Sequence, residues 1–199
     1  CALPISPVQS WNNYVAFLVI RDWLEYRRVT MVYEDVPLTR DVADLFSTMA
    51  RDDSDAGWQI VGREMLSDLG VGKPLDEQGL EIAARLRDSS ARVVWMCLYE
   101  TTALRFWCAL RKFGDFWKEL TFVTSCMWWS DMWYDVDMAG TDCTQEEIFE
   151  IANGTIGVDK TPFIAADIPH GLSNQPVQEI KAEYNEACAA NGGLCHEGG

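Results

Sequence analysis

Apolar residues recur at helical spacing along most of the chain. Between residues 42 and 50, one face of a helix would carry Val42, Leu45, Phe46, Met49 and Ala50. The segment 58–69 has the same spacing and is followed by a glycine pair and Pro74, which are typical helix-ending signals. Further helices are predicted from residue 75, over 116–128 and over 177–188.

The most apolar stretch, VVWMCLYETTALRFWCALRKF, covers residues 93–113. As a helix it would be apolar on nearly every side, as expected at the centre of a bundle. Strand-like composition is confined to VTMVY (29–33) and TPFIA (161–165), and neither has a hairpin partner. We therefore predict one all-α domain over residues 1–199, a bundle of about six or seven helices around an aromatic-rich central helix, with a loop-rich stretch at about 154–174.

Composition and charge narrow the classes of partner. Hydrophobic residues make up 48% of the 199 positions, which is typical of a folded globular chain. With 16 Lys and Arg against 31 Asp and Glu, the formal net charge is −15, so nucleic acid would be repelled and is not predicted as a partner. No uncharged run combines the length and apolar character of a membrane span, so none is predicted.

The cysteines indicate an exported protein. There are seven, an odd number, so at least one is not in an internal disulfide. Cys97 and Cys108 cannot pair if one continuous helix carries both, because eleven residues of helix span roughly 16 Å, whereas bridged Cα atoms lie within about 7 Å. Cys188 and Cys195 are predicted to pair across a glycine turn, and Asn153 begins a glycosylation sequon. These features predict secretion, with glycosylation possible at the sequon.

The segment WWSDMWYDVDMAGTDCTQEE, residues 128–147, has two interpretations. Its spacing of Asp135, Asp137, Gly140 and Glu146 matches positions one, three, six and twelve of a calcium-binding EF-hand loop. However, position five is Ala139, which has no ligand oxygen, and the chain has no second loop of this kind.

The same segment also contains a helix-capping signal. Thr144 and Glu147 have the spacing of a capping box, in which each side chain bonds the backbone of the other residue. We prefer this interpretation and predict no metal ion or other cofactor. In the alternative interpretation, the calcium ligands would include Asp135, Asp137 and Glu146.

Nine tryptophans exceed what the core of a domain of this size requires. Helical spacing favours core packing for most of them, yet large aromatic side chains also form interfaces and apolar pockets. The candidate binding residues are Trp95, Trp107, Trp128, Trp129 and Trp133.

Glu100 interrupts the most apolar stretch of the chain. A carboxylate inside an apolar helix requires a partner, and the predicted partner is Arg105 or another buried base. The alternative is a functional acid in an aromatic pocket, which makes Glu100 the candidate catalytic residue.

These observations favour a secreted, acidic helical protein that acts by binding a partner protein or a small apolar ligand. The alternative is a small helical enzyme with a carboxylate-centred apolar pocket around Glu100.

Overall fold

The computed structural model describes residues 15–52, 59–68, 72–89, 92–124 and 140–158. These residues form a parallel β-sheet with helices packed on both faces, so the prediction of an all-α bundle is wrong. All of them belong to one compact unit, Cys1–Asp159. The prediction of a single domain over residues 1–199 stays a prediction.

The described elements alternate between helix and strand. The strands are β1 Arg28–Glu34, β2 Gln59–Leu66, β3 Val93–Cys97, β4 Thr121–Thr124 and β5 Ile156–Gly157. The helices are α1 (residues 15–23, ending in the π-helix Val19–Trp23), α2 Pro37–Asp52, α3 Leu75–Asp88, α4 Glu100–Phe113 and α5 Gln145–Ala152. A short 3-10 helix, Asp115–Glu119, precedes β4.

The strand order is β2-β1-β3-β4-β5, and all the pairings are parallel. This order is one of the two common arrangements of doubly wound α/β proteins. The chain moves from β1 to β2 on one side, and then crosses back to β3 on the other side. The point between β1 and β3 is therefore the topological switch point of the sheet.

Strand β3 shows why the apolar run lacks the alternation that would distinguish a strand from a helix. Val93, Trp95 and Cys97 pack with α1 and α2 on one face of the sheet, whereas Val94 and Met96 pack with the helices of the other face. A strand covered on both faces is apolar at every position, so the alternation expected of a half-buried strand is absent. The predicted central helix is therefore wrong over its first part, and α4 begins only at Glu100.

Two other predicted helices are also wrong. The segment 58–69 contains β2, and the segment 116–128 contains most of the 3-10 helix, followed by β4. The helices predicted over 42–50 and from residue 75 are confirmed as α2 and α3, and VTMVY lies in β1. TPFIA and the predicted helix 177–188 lie outside the described residues.

One disulfide, Cys108–Cys143, joins α4 to the segment before α5, with Cα atoms 5.7 Å apart. The prediction that Cys97 is not linked to Cys108 is confirmed, although the two residues lie on a strand and a helix rather than on one helix. Cys97 is itself disulfide-bonded. Cys188 and Cys195 lie outside the described residues.

Close packing of α3 on α4 depends on Gly79. A Cβ atom added at Gly79 would lie 2.6 Å from the Cβ of Ala109. Glycine therefore lets the two helices approach closely on this face. Within the described ranges, no helix has the length and apolar character needed to cross a membrane.

Candidate functional site

The carboxyl edge at the switch point is where doubly wound proteins commonly bind ligands. Here it is formed by the β1–α2 connection, which follows Glu34, and the β3–α4 connection, which ends at Tyr99, just before Glu100 of α4. Because each crossover helix runs back antiparallel to the strands, the amino ends of α2 and α4 lie at this edge. The dipole of α4 favours Glu100 in its first turn, whereas the first turn of α2 has no acidic residue.

The carboxylates of Glu34, the last residue of β1, and of Asp35, which follows it, are engaged in local contacts. Glu34 accepts a hydrogen bond from the backbone N–H of Tyr99, with 2.9 Å between Oε2 and N, and so ties β1 to the β3–α4 connection. The buried Thr39 hydroxyl donates to the carbonyl of Glu34. The Asp35 side chain is 11% exposed and forms an ion pair with Arg40. These contacts fix the loop between β1 and α2.

This loop lacks the features of a phosphate cradle. It reads Glu34-Asp35-Val36-Pro37, with two acids, no glycine and a proline without an N–H group. A phosphate loop instead presents backbone N–H groups in a glycine-rich turn. An anionic ligand is therefore disfavoured here. Across the described ranges, no group of three or more His, Cys, Asp and Glu side chains could hold a metal ion.

Glu100 begins α4 at this edge and is half-buried, rather than lying inside an apolar helix. The predicted ion pair with Arg105 is not formed. The guanidinium of Arg105 instead lies 3.3 Å from Asp76 and 3.8 Å from Asp68, measured between nitrogen and carboxylate oxygen.

Two predicted binding tryptophans lie in the core. Trp95 and Trp107 are both fully buried. Trp95 stacks on Phe46 with ring centroids 4.6 Å apart, and Trp107 contacts Phe122 edge to face at 6.3 Å. Trp128, Trp129 and Trp133 lie outside the described residues.

The capping box before α5 is confirmed. The Thr144 side chain accepts from the Glu147 N–H at 3.3 Å, and the Glu147 carboxylate accepts from the Thr144 N–H at 2.9 Å. Glu146 is exposed in the first turn of α5. The calcium candidates Asp135 and Asp137 lie outside the described residues.

The most exposed large hydrophobic side chain in the described ranges is Trp23, which sequence reasoning had missed. It is 71% exposed at the end of α1, and Tyr26 is 40% exposed just before β1. The turn between them contains Glu25 at φ 54°, a left-handed conformation common just past helix ends. The N–H of Leu24 donates to Val19 and that of Tyr26 to Ile20, which holds the turn on the buried part of α1.

Basic residues continue this surface into the sheet. Arg27 and Arg28 are exposed, and Arg28 is the first residue of β1. We define Trp23, Tyr26, Arg27 and Arg28 as the amino-edge surface, because it lies where β1 begins.

Ion pairing sets these two arginines apart. Every other lysine and arginine in the described ranges lies within 4 Å of a carboxylate oxygen, whereas Arg27 and Arg28 do not. The pairs are Arg21–Asp22, Arg40–Asp35, Arg51–Asp52, Arg63–Asp44, Lys73–Glu81, Arg85–Glu64, Arg87–Asp88, Arg92–Glu119, Arg105–Asp76, Arg111–Glu150, Lys112–Asp142 and Lys118–Asp115.

Two acids lie in or beside this surface: the exposed Glu25 in its turn, and Asp22, which is already paired. Asp22 accepts two hydrogen bonds from Arg21, at 2.6 and 2.7 Å. These bonds hold the pKa of Asp22 below its ordinary value, and the charges of Arg21 and Arg27 act in the same direction. The charge of Arg27 therefore acts on Asp22, although the two side chains do not form an ion pair.

The signal in the sequence was local. In IRDWLEYRR, residues 20–28, two aromatic residues are surrounded by charged ones, so a helical apolar stripe does not explain them. An aromatic residue in such a setting is a candidate for exposure.

An open groove of about 420 Å³ lies between α2 and β2, lined in part by Ser47, Arg51, Ile60 and Arg63. Arg63 donates to Asp44 at 2.7 Å, which raises the pKa of its guanidinium, and lies over the Tyr33 ring. The groove is neither enclosed nor mainly apolar, so it does not resemble the predicted apolar ligand cavity.

No protein-family model and no curated protein matches the chain.

Proposed function

We propose that this protein acts by binding a partner protein through its amino-edge surface. The observation that carries the proposal is the 71% exposure of Trp23, at the end of a π-helix and next to the exposed Tyr26. Tryptophan and tyrosine are enriched among the residues that dominate interface energies. Single-turn π-helices are also frequent at functional sites.

The helix that ends at Trp23 is anchored in the core by buried residues. Ala16, Phe17 and Ile20 of α1 pack in the same core cluster as α2 and β1. Trp23 therefore projects from a helix that the core holds in place, and Tyr26 lies in the turn that follows this helix. A preorganised anchor loses little conformational entropy on binding.

We also propose that the protein is exported. Cys108–Cys143 and the disulfide that includes Cys97 support an oxidising compartment, where such bonds persist. Trapping free thiols in cells that produce the protein tests this, because a cytosolic protein would yield Cys108 in the reduced form.

The test of the binding proposal is a selection of peptides from a random phage-displayed library against the native, disulfide-intact protein. We expect selected peptides to lose at least about 30-fold in affinity with Trp23→Ala, as an interface anchor does. The matched control is Met65→Ala, because Met65 is 45% exposed on β2. Retained binding by Trp23→Ala, or equal loss in the control, would contradict the proposal.

A second candidate function is an enzyme that uses Glu100. It is favoured by one observation: Glu100 is half-buried at the carboxyl edge of the switch point, where α/β enzymes place their ligands. A fragment screen by NMR tests it. The enzyme candidate predicts small-molecule hits around Tyr99 and Glu100 that Glu100→Gln abolishes, and it is excluded if hits avoid this edge.

A further inference from the structure

We infer that the partner presents an acidic peptide segment to the amino-edge surface, an inference that rests on the proposed function. The chain carries 31 acids against 16 bases, so an exposed arginine has many carboxylates available within its own fold. Each of the other lysines and arginines in the described ranges forms an ion pair with a carboxylate. Arg27 and Arg28, consecutive in the chain, are the exceptions, and they directly follow the exposed Tyr26.

The neighbouring strand places a third arginine nearby. Val29 of β1 pairs with Val93 of β3, so Arg28 and Arg92 stand side by side at the beginnings of adjacent strands. The guanidinium of Arg92 is held by the Ser89 carbonyl at 3.0 Å and by Glu119 at 3.5 Å. Arg28 forms no such contact with the described residues, so its positive charge is available to an outside group.

An arginine matches a carboxylate in shape as well as in charge. The guanidinium fork can donate two parallel hydrogen bonds to one carboxylate, and arginine is weakly hydrated compared with lysine. Two adjacent arginines beside exposed aromatic rings fit a short segment that combines acidic and apolar side chains. The apolar residue would contact Trp23, while the acids would bind Arg27 and Arg28.

The overall charge favours a short segment over a long polyanion. At physiological ionic strength, charges interact over about 8 Å, so a short peptide meets mainly the local arginines. A nucleic acid extends beyond this patch and would meet the repulsion of a chain with a net charge of −15. An acidic peptide segment is therefore the occupant that the observations favour.

The experiment analyses the composition of the peptides selected from the random library. We expect enrichment in Asp and Glu together with an aromatic or aliphatic residue. The double variant Arg27→Gln/Arg28→Gln should weaken their binding at least about tenfold, and rising salt should weaken it in the wild type. The matched control, Arg51→Gln/Lys73→Gln, removes the same charge elsewhere and should change affinity less than about twofold.

The outcomes separate this inference from the proposed function. Peptides that need Trp23 but show no acidic enrichment, or that ignore the loss of both arginines, overturn the inference and leave the proposed function standing. Peptides that ignore Trp23→Ala overturn both. A DNA oligonucleotide that binds through Arg27 and Arg28 as tightly as the acidic peptides would also overturn the inference.

Discussion

The two edges of the sheet differ in how their charged and aromatic groups are used. At the carboxyl edge, Glu34 bonds the Tyr99 backbone and Asp35 pairs with Arg40, so these carboxylates hold loops in place. At the amino edge, Trp23 is exposed, and Arg28 forms no ion pair with a carboxylate of the described residues. The edge that usually carries the site in doubly wound proteins is thus partly occupied by its own contacts, while the opposite edge has groups available for a partner.

The largest expected effect separates a buried tryptophan from an exposed one. Trp95→Ala removes a fully buried ring stacked on Phe46 and should lower the free energy of unfolding by about 3–5 kcal/mol. Trp23→Ala should change it by less than about 0.5 kcal/mol, because most of the ring is in water. Chemical denaturation followed by circular dichroism measures both. Similar losses for the two variants would contradict the contrast between core and surface.

A smaller effect on stability is expected from removing one charged side chain at each edge. Glu34→Ala leaves the Tyr99 N–H without its acceptor and should destabilise the fold by about 1.5–3 kcal/mol, as expected for a bond to a charged group. Arg28→Gln removes no ion pair and should change stability by less than about 0.5 kcal/mol. If Arg28→Gln were the more destabilising change, the arginine would have a structural role and the comparison of edges would fail.

Sequence reasoning identified the parts of the fold that follow from one-sided burial. α2 and α3 each present one apolar face to the sheet and one polar face to water, so their period was visible. β3 is covered on both faces and loses its period. The parallel pairing of β1 with β3 joins residues more than sixty positions apart, and no local pattern encodes it.

The candidate site was harder to predict, because it depends on which side chains tertiary packing leaves exposed. Trp95 and Trp23 are the same residue type, and tertiary packing decides that the first is buried and the second exposed. Likewise, the partner of Arg105 proved to be Asp76 in α3 rather than Glu100 in its own helix. The local signals that held, such as the capping box of Thr144 and Glu147, involve contacts within one turn.

The smallest expected effect concerns the turn that presents the aromatic residues of the amino edge. Glu25 has a positive φ, which costs a residue with a Cβ roughly 1 kcal/mol. Glu25→Gly relieves this cost but increases the freedom of the unfolded chain, so the two effects should nearly cancel. We expect a change in unfolding free energy within about 0.5 kcal/mol. Loss of much more than this by thermal denaturation would mean that the Glu25 side chain itself holds the turn.

The most direct test of the central claim is NMR mapping of a bound peptide selected from the library. Backbone amide signals of the isotope-labelled protein are followed as the peptide is added. Binding at the amino-edge surface predicts that the largest shifts fall in residues 21–28, with residues 34–40 and 98–100 nearly unchanged. The largest shifts in 34–40 and 98–100 would instead place the site at the carboxyl edge and contradict the account.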